Sequence, residues 1–219
     1  MEKSSLFYQE LIEVKEVVDN LKEDSVNRIE VAKFWDCNPF VPVHKGHVTL
    51  AEKKLTPGGH WLNIGKQAMK KSQLGFEESI ATYAVLASGI FDGFISCWDA
   101  KYQYNYIRPI TVIRKEFDEN WEIPLYTPNF PEYPSGHSVI SGVSSTILTN
   151  VFGDHYAYTD SSEVSFGMTV RHFDSFFDAC DEAAISRLYG GIHFRSAIVN
   201  GVEQGKLIGE SILKKAGII

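Results

Sequence analysis

Three short segments combine cations with helix ends in ways that suit a tetrahedral oxyanion. In Lys101-Tyr-Gln-Tyr-Asn-Tyr-Ile-Arg108-Pro109 the two basic residues are seven apart. That is two helical turns, so a continuous helix would aim both to one side. Trp98, Tyr102, Tyr104 and Tyr106 make an unusually aromatic setting for a solvated basic face. In Tyr133-Pro134-Ser135-Gly136-His137 the order proline, serine, glycine before an apolar run marks a helix start. There Ser135 can cap, the first backbone N–H groups lack helical acceptors, and the dipole favours negative charge. Gly136 lets a ligand approach the backbone, and His137 stands where it could exchange a proton with it. In Ser186-Arg187-Leu-Tyr-Gly-Gly-Ile-His193, Arg187 ends one helix and His193 opens the next. A guanidinium forks onto oxyanions, and a neutral imidazole attacks phosphorus or ligates a metal oxyanion. Taken singly, the three read as a solvated basic face, a capped helix with a surface histidine and an isolated Arg–His pair.

The elements that must position these residues are helical. Leu11, Val14, Val18 and Leu21 recur three or four apart within Leu6–Leu21. Val26–Trp35 reads as a second helix stopped by Asn38-Pro39, Val41–Gly59 as a loop, and His60–Lys71 as a third helix. A long helix runs from Phe76 to about Tyr106 and is closed by Pro109; its Ala81, Ala84, Ala87 and Ser88 would let neighbours approach closely. The proline-rich loop Trp121–Pro134 leads into a helix over Ser135–Phe152. Tyr133–Gly153 holds no Asp, Glu, Lys or Arg but many Ser and Thr, the pattern of a polar-lined buried helix. Val164–Val170 is a short strand or irregular, Phe173–Tyr189 is helical, and a last helix runs from His193 or Phe194 to Lys215. With no repeat or linker, residues 1–219 are expected to form one helical domain.

At 44% hydrophobic the chain can bury a core, and its net charge of -7 lacks the basic excess of a nucleic-acid binder. A few buried cations can still build a positive pocket in an acidic protein. Cys37, Cys97 and Cys180 contain no C-x-x-C pair and read as buried free thiols. The N-terminal residues lead into a charged amphipathic segment rather than a signal-peptide core, and Ser79–Phe91 is too short an apolar stretch to span a bilayer. The expectation is a soluble chain without a membrane span, periplasmic only if a leader is missing.

Taken together, Lys101-x6-Arg108-Pro109, Pro134-Ser135-Gly136-His137 and Ser186-Arg187-x5-His193 resemble the vanadium haloperoxidase and type 2 phosphatidic acid phosphatase superfamily. The resemblance implies an all-α fold, a helical bundle of the vanadium chloroperoxidase and acid phosphatase type. It assigns the oxyanion's equatorial oxygens to Lys101, Arg108, Arg187, Ser135 and the Gly136 N–H. His193 would bond the central atom, as ligand to vanadate, and His137 would be the acid–base group opposite. Family members often carry an Asp four residues after the apical histidine. Ala197 stands there, so His193 must take its orientation from another acceptor, such as a backbone carbonyl, or be less basic.

Two chemistries share such a pocket, because His-bound vanadate resembles a phosphoryl-transfer transition state. A haloperoxidase would hold vanadate and oxidise halide with hydrogen peroxide; an acid phosphatase would need no cofactor and pass through a phosphohistidine at His193. Trp98, Phe130 in the run Thr127–Pro134, and Gly190–Arg195 resemble the soluble bacterial haloperoxidase branch, in which an aromatic pair borders the halide site. The plainer alternative makes Trp98 and Phe130 core aromatics. A third reading is a catalytically degenerate oxyanion binder. The soluble haloperoxidases are longer, and this chain resembles their C-terminal half. An exposed apolar face on the first two helices would then favour a homodimer.

Three other histidines stand out. His44 and His47 are three apart and could ligate a metal on a helix, but the surrounding residues argue for a loop. His60, after Pro57-Gly-Gly, suggests a tight turn near something and reads foremost as a helix start.

Overall fold

The computed structural model describes residues 2–22, 27–37, 41–45, 48–52 and 55–218, with backbone alone at 22, 41–45 and 48–52. α1 (Leu6–Asp19) starts where the Ser5 hydroxyl accepts the Tyr8 N–H, and it buries Leu11, Val14 and Val18. α2 (Arg28–Phe34) buries Val31, Ala32 and Phe34. Expected as a loop, the next stretch contains a hairpin, β1 (Val41–Lys45) paired antiparallel with β2 (Val48–Glu52). His44 lies on β1, whereas His47, Val26 and the Asn38-Pro39 stop fall outside the described residues. α3 (Pro57–Lys71) begins three residues before its expected start, because Thr56 caps it and Pro57 fits the first turn.

α4 (Phe76–Tyr104) ends at Asn105, which is left-handed at φ 45°. Pro109 does not merely close this run. It opens a further helix, α5 (Pro109–Glu116), with Arg108 at its N-cap. After the proline-rich loop comes α6 (Gly136–Phe152), capped by Ser135. β3 (Tyr158–Asp160) pairs with β4 (Arg171–Phe173), and α7 (Phe176–Tyr189) and α8 (Arg195–Lys215) complete the chain.

α6 is the axis of the bundle, packed on α3, α4, α7 and α8. Its buried hydroxyls bear out the reading of a polar-lined inner helix; Ser141 Oγ, for example, accepts the Trp61 indole N–H at 2.9 Å. Along α8, Gly201, Gly205 and Gly209 form a stripe four residues apart that lies directly on α6. A Cβ at Gly205 would sit 2.2 Å from the Val139 carbonyl oxygen, and one at Gly142 would sit 2.4 Å from that of Val202.

Two expectations are corrected. Ala81, Ala84, Ala87 and Ser88 are exposed; the close approach of α4 to α6 uses Gly89 and Gly93, since the helical period turns Thr82, Leu86, Gly89, Gly93 and Cys97 inward. Among the described residues of α1 and α2, Leu6 is exposed but Leu11, Val14, Val18, Val31, Ala32 and Phe34 are buried, so the exposed apolar face expected there is not found; exposed Phe76, Ile80, Phe91 and Ile95 lie on α4 instead. By length and composition alone the helical run that contains α4 could cross a membrane, although its inner face packs on α6 and α8.

Candidate active site

His193 precedes α8, and its side chain is buried against the loop before α6. Its Nδ1 lies 2.8 Å from Glu132 Oε1, which also accepts the Phe194 N–H at 2.9 Å. Its Nε2 lies 3.2 Å from Arg108 Nη1. A guanidinium can only donate, so Nε2 must be the acceptor and Nδ1 carries the proton given to Glu132. Burial, and after it the positive charges of Arg108, Lys101 and Arg187, hold His193 well below the usual histidine range, so the ring is neutral. The side chain that orients it is Glu132 rather than a backbone carbonyl. Ala197 acts elsewhere: its carbonyl accepts the Ser135 N–H at 3.0 Å and fixes the start of α6.

Lys101 and Arg108 do converge, but not on one helical face. α4 has ended and α5 has begun between them, and the reversal through Asn105 brings both to the proline-rich loop. Pro131 O accepts from Lys101 Nζ at 2.9 Å and from Arg108 Nη2 at 3.4 Å. Lys101 Nζ also donates to the Glu132 and Pro134 carbonyls, at 2.9 and 2.5 Å. All three of its protons are thus engaged, and what it offers a ligand in this arrangement is its charge. Arg108 donates further to Phe130 O and Ile192 O. Burial lowers Lys101 to about 8 and Arg108 to about 10, and raises Glu132 to about 7 against the pull of the Phe194 N–H, Arg108 and Lys101.

Arg187, in the last turn of α7, is buried; its Nε donates to Ser186 Oγ at 2.9 Å and its Nη2 to Ala32 O at 3.1 Å. His137, in the first turn of α6, lies against the Trp35 backbone, and its Nε2 is buried with no hydrogen-bond partner among the described residues. Burial first, then Arg187 and His60, hold it well below the usual histidine range. Ser135 caps α6 and accepts from the Ser138 hydroxyl at 2.8 Å. Trp98 and Phe130 are half-buried rather than core residues, with ring centroids 5.1 Å apart. Lys101 Nζ lies 5.2 Å from the Phe130 centroid, and Trp98 edges the backbone of Gly136.

One neighbourhood therefore holds three buried cations, two neutral imidazoles and a helix N-terminus. It can hold a multiply charged oxyanion and present a histidine lone pair to its centre. The family described as the VCPO second helical-bundle domain matches residues 81–218. The chain belongs to this family. It therefore sits within the vanadium haloperoxidase superfamily that its motifs resemble. Among solved structures it is similar to a bacterial vanadium-dependent iodoperoxidase with a TM-score of 0.91 and 47% sequence identity, covering 98% of this chain and 50% of that one. Holo-type and apo-type bacterial vanadium-dependent chloroperoxidases follow at TM-scores of 0.70 and 0.71, each 20% identical, covering 96% and 95% of this chain and 48% and 49% of theirs. The likeness to the two chloroperoxidases is one of fold. The chain spans about half the length of these haloperoxidases. No curated protein matches it.

Glu132 had no assigned role in the sequence. Its signal was an acidic residue, flanked by Pro131 and Pro134, within the otherwise uncharged run Tyr126–Ser135. His60 is likewise more than a helix start: it is fully buried, stacked on Trp35 at 4.6 Å and bonded to Asp160 at 2.7 Å.

Proposed function

We propose that the chain carries the vanadate site of a haloperoxidase that oxidises iodide with hydrogen peroxide, and that residues 1–219 act as one helical domain. The observation that supports this most is the 47% identity, over nearly the whole chain, to a bacterial vanadium-dependent iodoperoxidase. The donor set fits vanadate: His193 Nε2 is a neutral acceptor, the His137 Nε2 is buried without a partner among the described residues, and three cations offset the anion's charge. Vanadate, when bound, supplies a Lewis-acidic centre at which hydrogen peroxide passes an oxygen atom to halide.

The residues of the chain have separate tasks in this reading. His193 Nε2 holds the vanadate, and Glu132 keeps the proton on Nδ1 so that the lone pair stays on Nε2. Arg108, Arg187, Ser135 and the Gly136 N–H hold oxygens, while Lys101 contributes a buried positive charge. His137, neutral near pH 7, takes a proton at Nε2 and returns it. Trp98 and Phe130 border the halide.

The test is a paired assay on the purified chain with and without orthovanadate. One arm follows iodide and bromide oxidation by hydrogen peroxide, the other hydrolysis of a chromogenic phosphate ester. The expected result is vanadate-dependent iodide oxidation that His193→Ala abolishes. Phosphate release inhibited by vanadate would replace the reading with a phosphatase, and vanadate binding without either turnover would leave an oxyanion binder.

A further inference from the structure

Behind His137 lies a second cluster of side chains that this chemistry does not use. Cys37 follows α2, His60 stands in the first turn of α3, and Glu163 follows β3; all three are buried. His60 Nδ1 lies 3.4 Å from Cys37 Sγ and 3.4 Å from Glu163 Oε1, and the three donor atoms are all within 4.8 Å of one another. On its other side His60 Nε2 is 2.7 Å from Asp160 Oδ2, and Asp160 Oδ1 is held by the Ser162 N–H at 2.8 Å. An ionised Asp160 can only accept, so it holds one ring proton on Nε2; against burial, the bonds to Asp160 and Cys37 raise His60 to about 10, so a second proton on Nδ1 faces the sulfur and the carboxylate oxygen. A cation that displaces the Nδ1 proton would meet three donor atoms that face one place. A carboxylate that fixes a histidine in this way is the usual outer partner of a metal ligand.

We propose that Cys37, His60 and Glu163 bind a divalent cation of the zinc class, with Asp160 as the partner that orients His60. Two of the three spacings match a coordination shell. With zinc bonds of about 2.3 Å to sulfur and about 2.0–2.1 Å to nitrogen and oxygen, tetrahedral neighbours stand about 3.3–3.6 Å apart. The two separations from His60 Nδ1, 3.4 Å each, are of that size before any rearrangement. Thiolate, imidazole and carboxylate suit zinc; magnesium and calcium take oxygen donors alone. The ion tethers the segment after α2 to α3 and to the β3 end. That segment carries Trp35, which stacks on His60, is bonded to Glu182 through its indole N–H at 2.9 Å, and meets His137 through its backbone. The site is thus a clip that holds the wall behind His137, and its readout does not depend on halide chemistry.

The experiment uses the full chain and zinc itself. The protein is incubated with excess zinc, gel-filtered and assayed for metal, alongside Cys37→Ala and Asp160→Asn. In parallel the wild-type chain is titrated with cobalt(II). The expected result is one zinc retained per chain and a thiolate-to-cobalt charge-transfer band in the near ultraviolet. Both should be absent in Cys37→Ala, with zinc affinity about 10–100-fold weaker in Asp160→Asn. A wild-type chain that retains no zinc, a cobalt spectrum without the thiolate band, or equal retention by Cys37→Ala would overturn the proposal in favour of a purely hydrogen-bonded cluster. The cobalt spectrum needs no variant, so it decides the matter even if a substituted chain fails to fold.

Discussion

Around His193, position and protonation are set by the same contacts. Arg108 on Nε2 and Glu132 on Nδ1 select one tautomer, and the second Glu132 bond, to the Phe194 N–H, ties the carboxylate to the start of α8. A carboxylate there makes the imidazole a better ligand through the shared proton. It also adds negative charge to a pocket that attracts anions. These two effects separate in Glu132→Gln, whose amide oxygen can still accept both N–H bonds. Vanadate, proposed to bond to Nε2, should bind about 10–100-fold more weakly. Sulfate, which is held by charge and hydrogen bonds alone, should bind as well or better. Isothermal titration with both anions reads the difference; equal weakening of both would mean that Glu132 only props up the pocket.

At the scale of elements, the site depends on how closely α8 lies against α6. Ser135 caps α6 while its N–H is held by Ala197 of α8, so any movement between the helices carries the N-terminus of α6 with it. Gly205→Ala would place a methyl group 2.2 Å from the Val139 carbonyl oxygen, on rigid backbone rather than at the end of a flexible side chain. Overpacking of this kind costs about 1–3 kcal/mol and sometimes more. With both partners helical backbone, the upper figure is expected. A chain of this size should then melt roughly 6–12 °C lower, at about 2–4 °C per kcal/mol. Ser211→Ala, at an exposed position on the same helix, is the control and should leave the melting temperature nearly unchanged.

For the whole molecule, the first two helices lie outside the family match at residues 81–218, yet they contact the candidate site residues. Arg187 donates to Ala32 O, His137 meets the Trp35 backbone, and Glu10 and Glu13 hold Ser196 and Arg195 at the start of α8. Leu11, Val14, Val18, Phe34 and Trp35 are all in the core. At about 1.5–3 kcal/mol for each buried large side chain, these five contribute on the order of 7–15 kcal/mol. That equals the whole net stability of an ordinary domain, about 5–15 kcal/mol. Removing residues 2–37 should therefore abolish the cooperative thermal transition seen by circular dichroism, and vanadate binding with it. A truncated chain that still melts cooperatively would show that the family-matched part folds alone.

Much of this was legible in the residues themselves. Periodicity located the long helices because each buries a regular stripe, as Leu11, Val14 and Val18 do. Ser135-Gly136 announced a helix start because capping is local chemistry, and the three motifs named the superfamily because each cation and histidine stands at its own spacing. What sequence could not decide was contact between distant segments. Lys101 and Arg108 converge through a left-handed turn and a new helix, not along a shared face. Glu132 supplies the acceptor missing at Ala197, although 61 positions separate it from His193. Cys37, His60 and Asp160 meet across 23 and 100 positions. Local spacing determines caps, periods and motifs because those interactions reach only a turn or two along the chain. Which buried carboxylate faces which imidazole is decided by packing, since only the folded core excludes the water that would otherwise separate them.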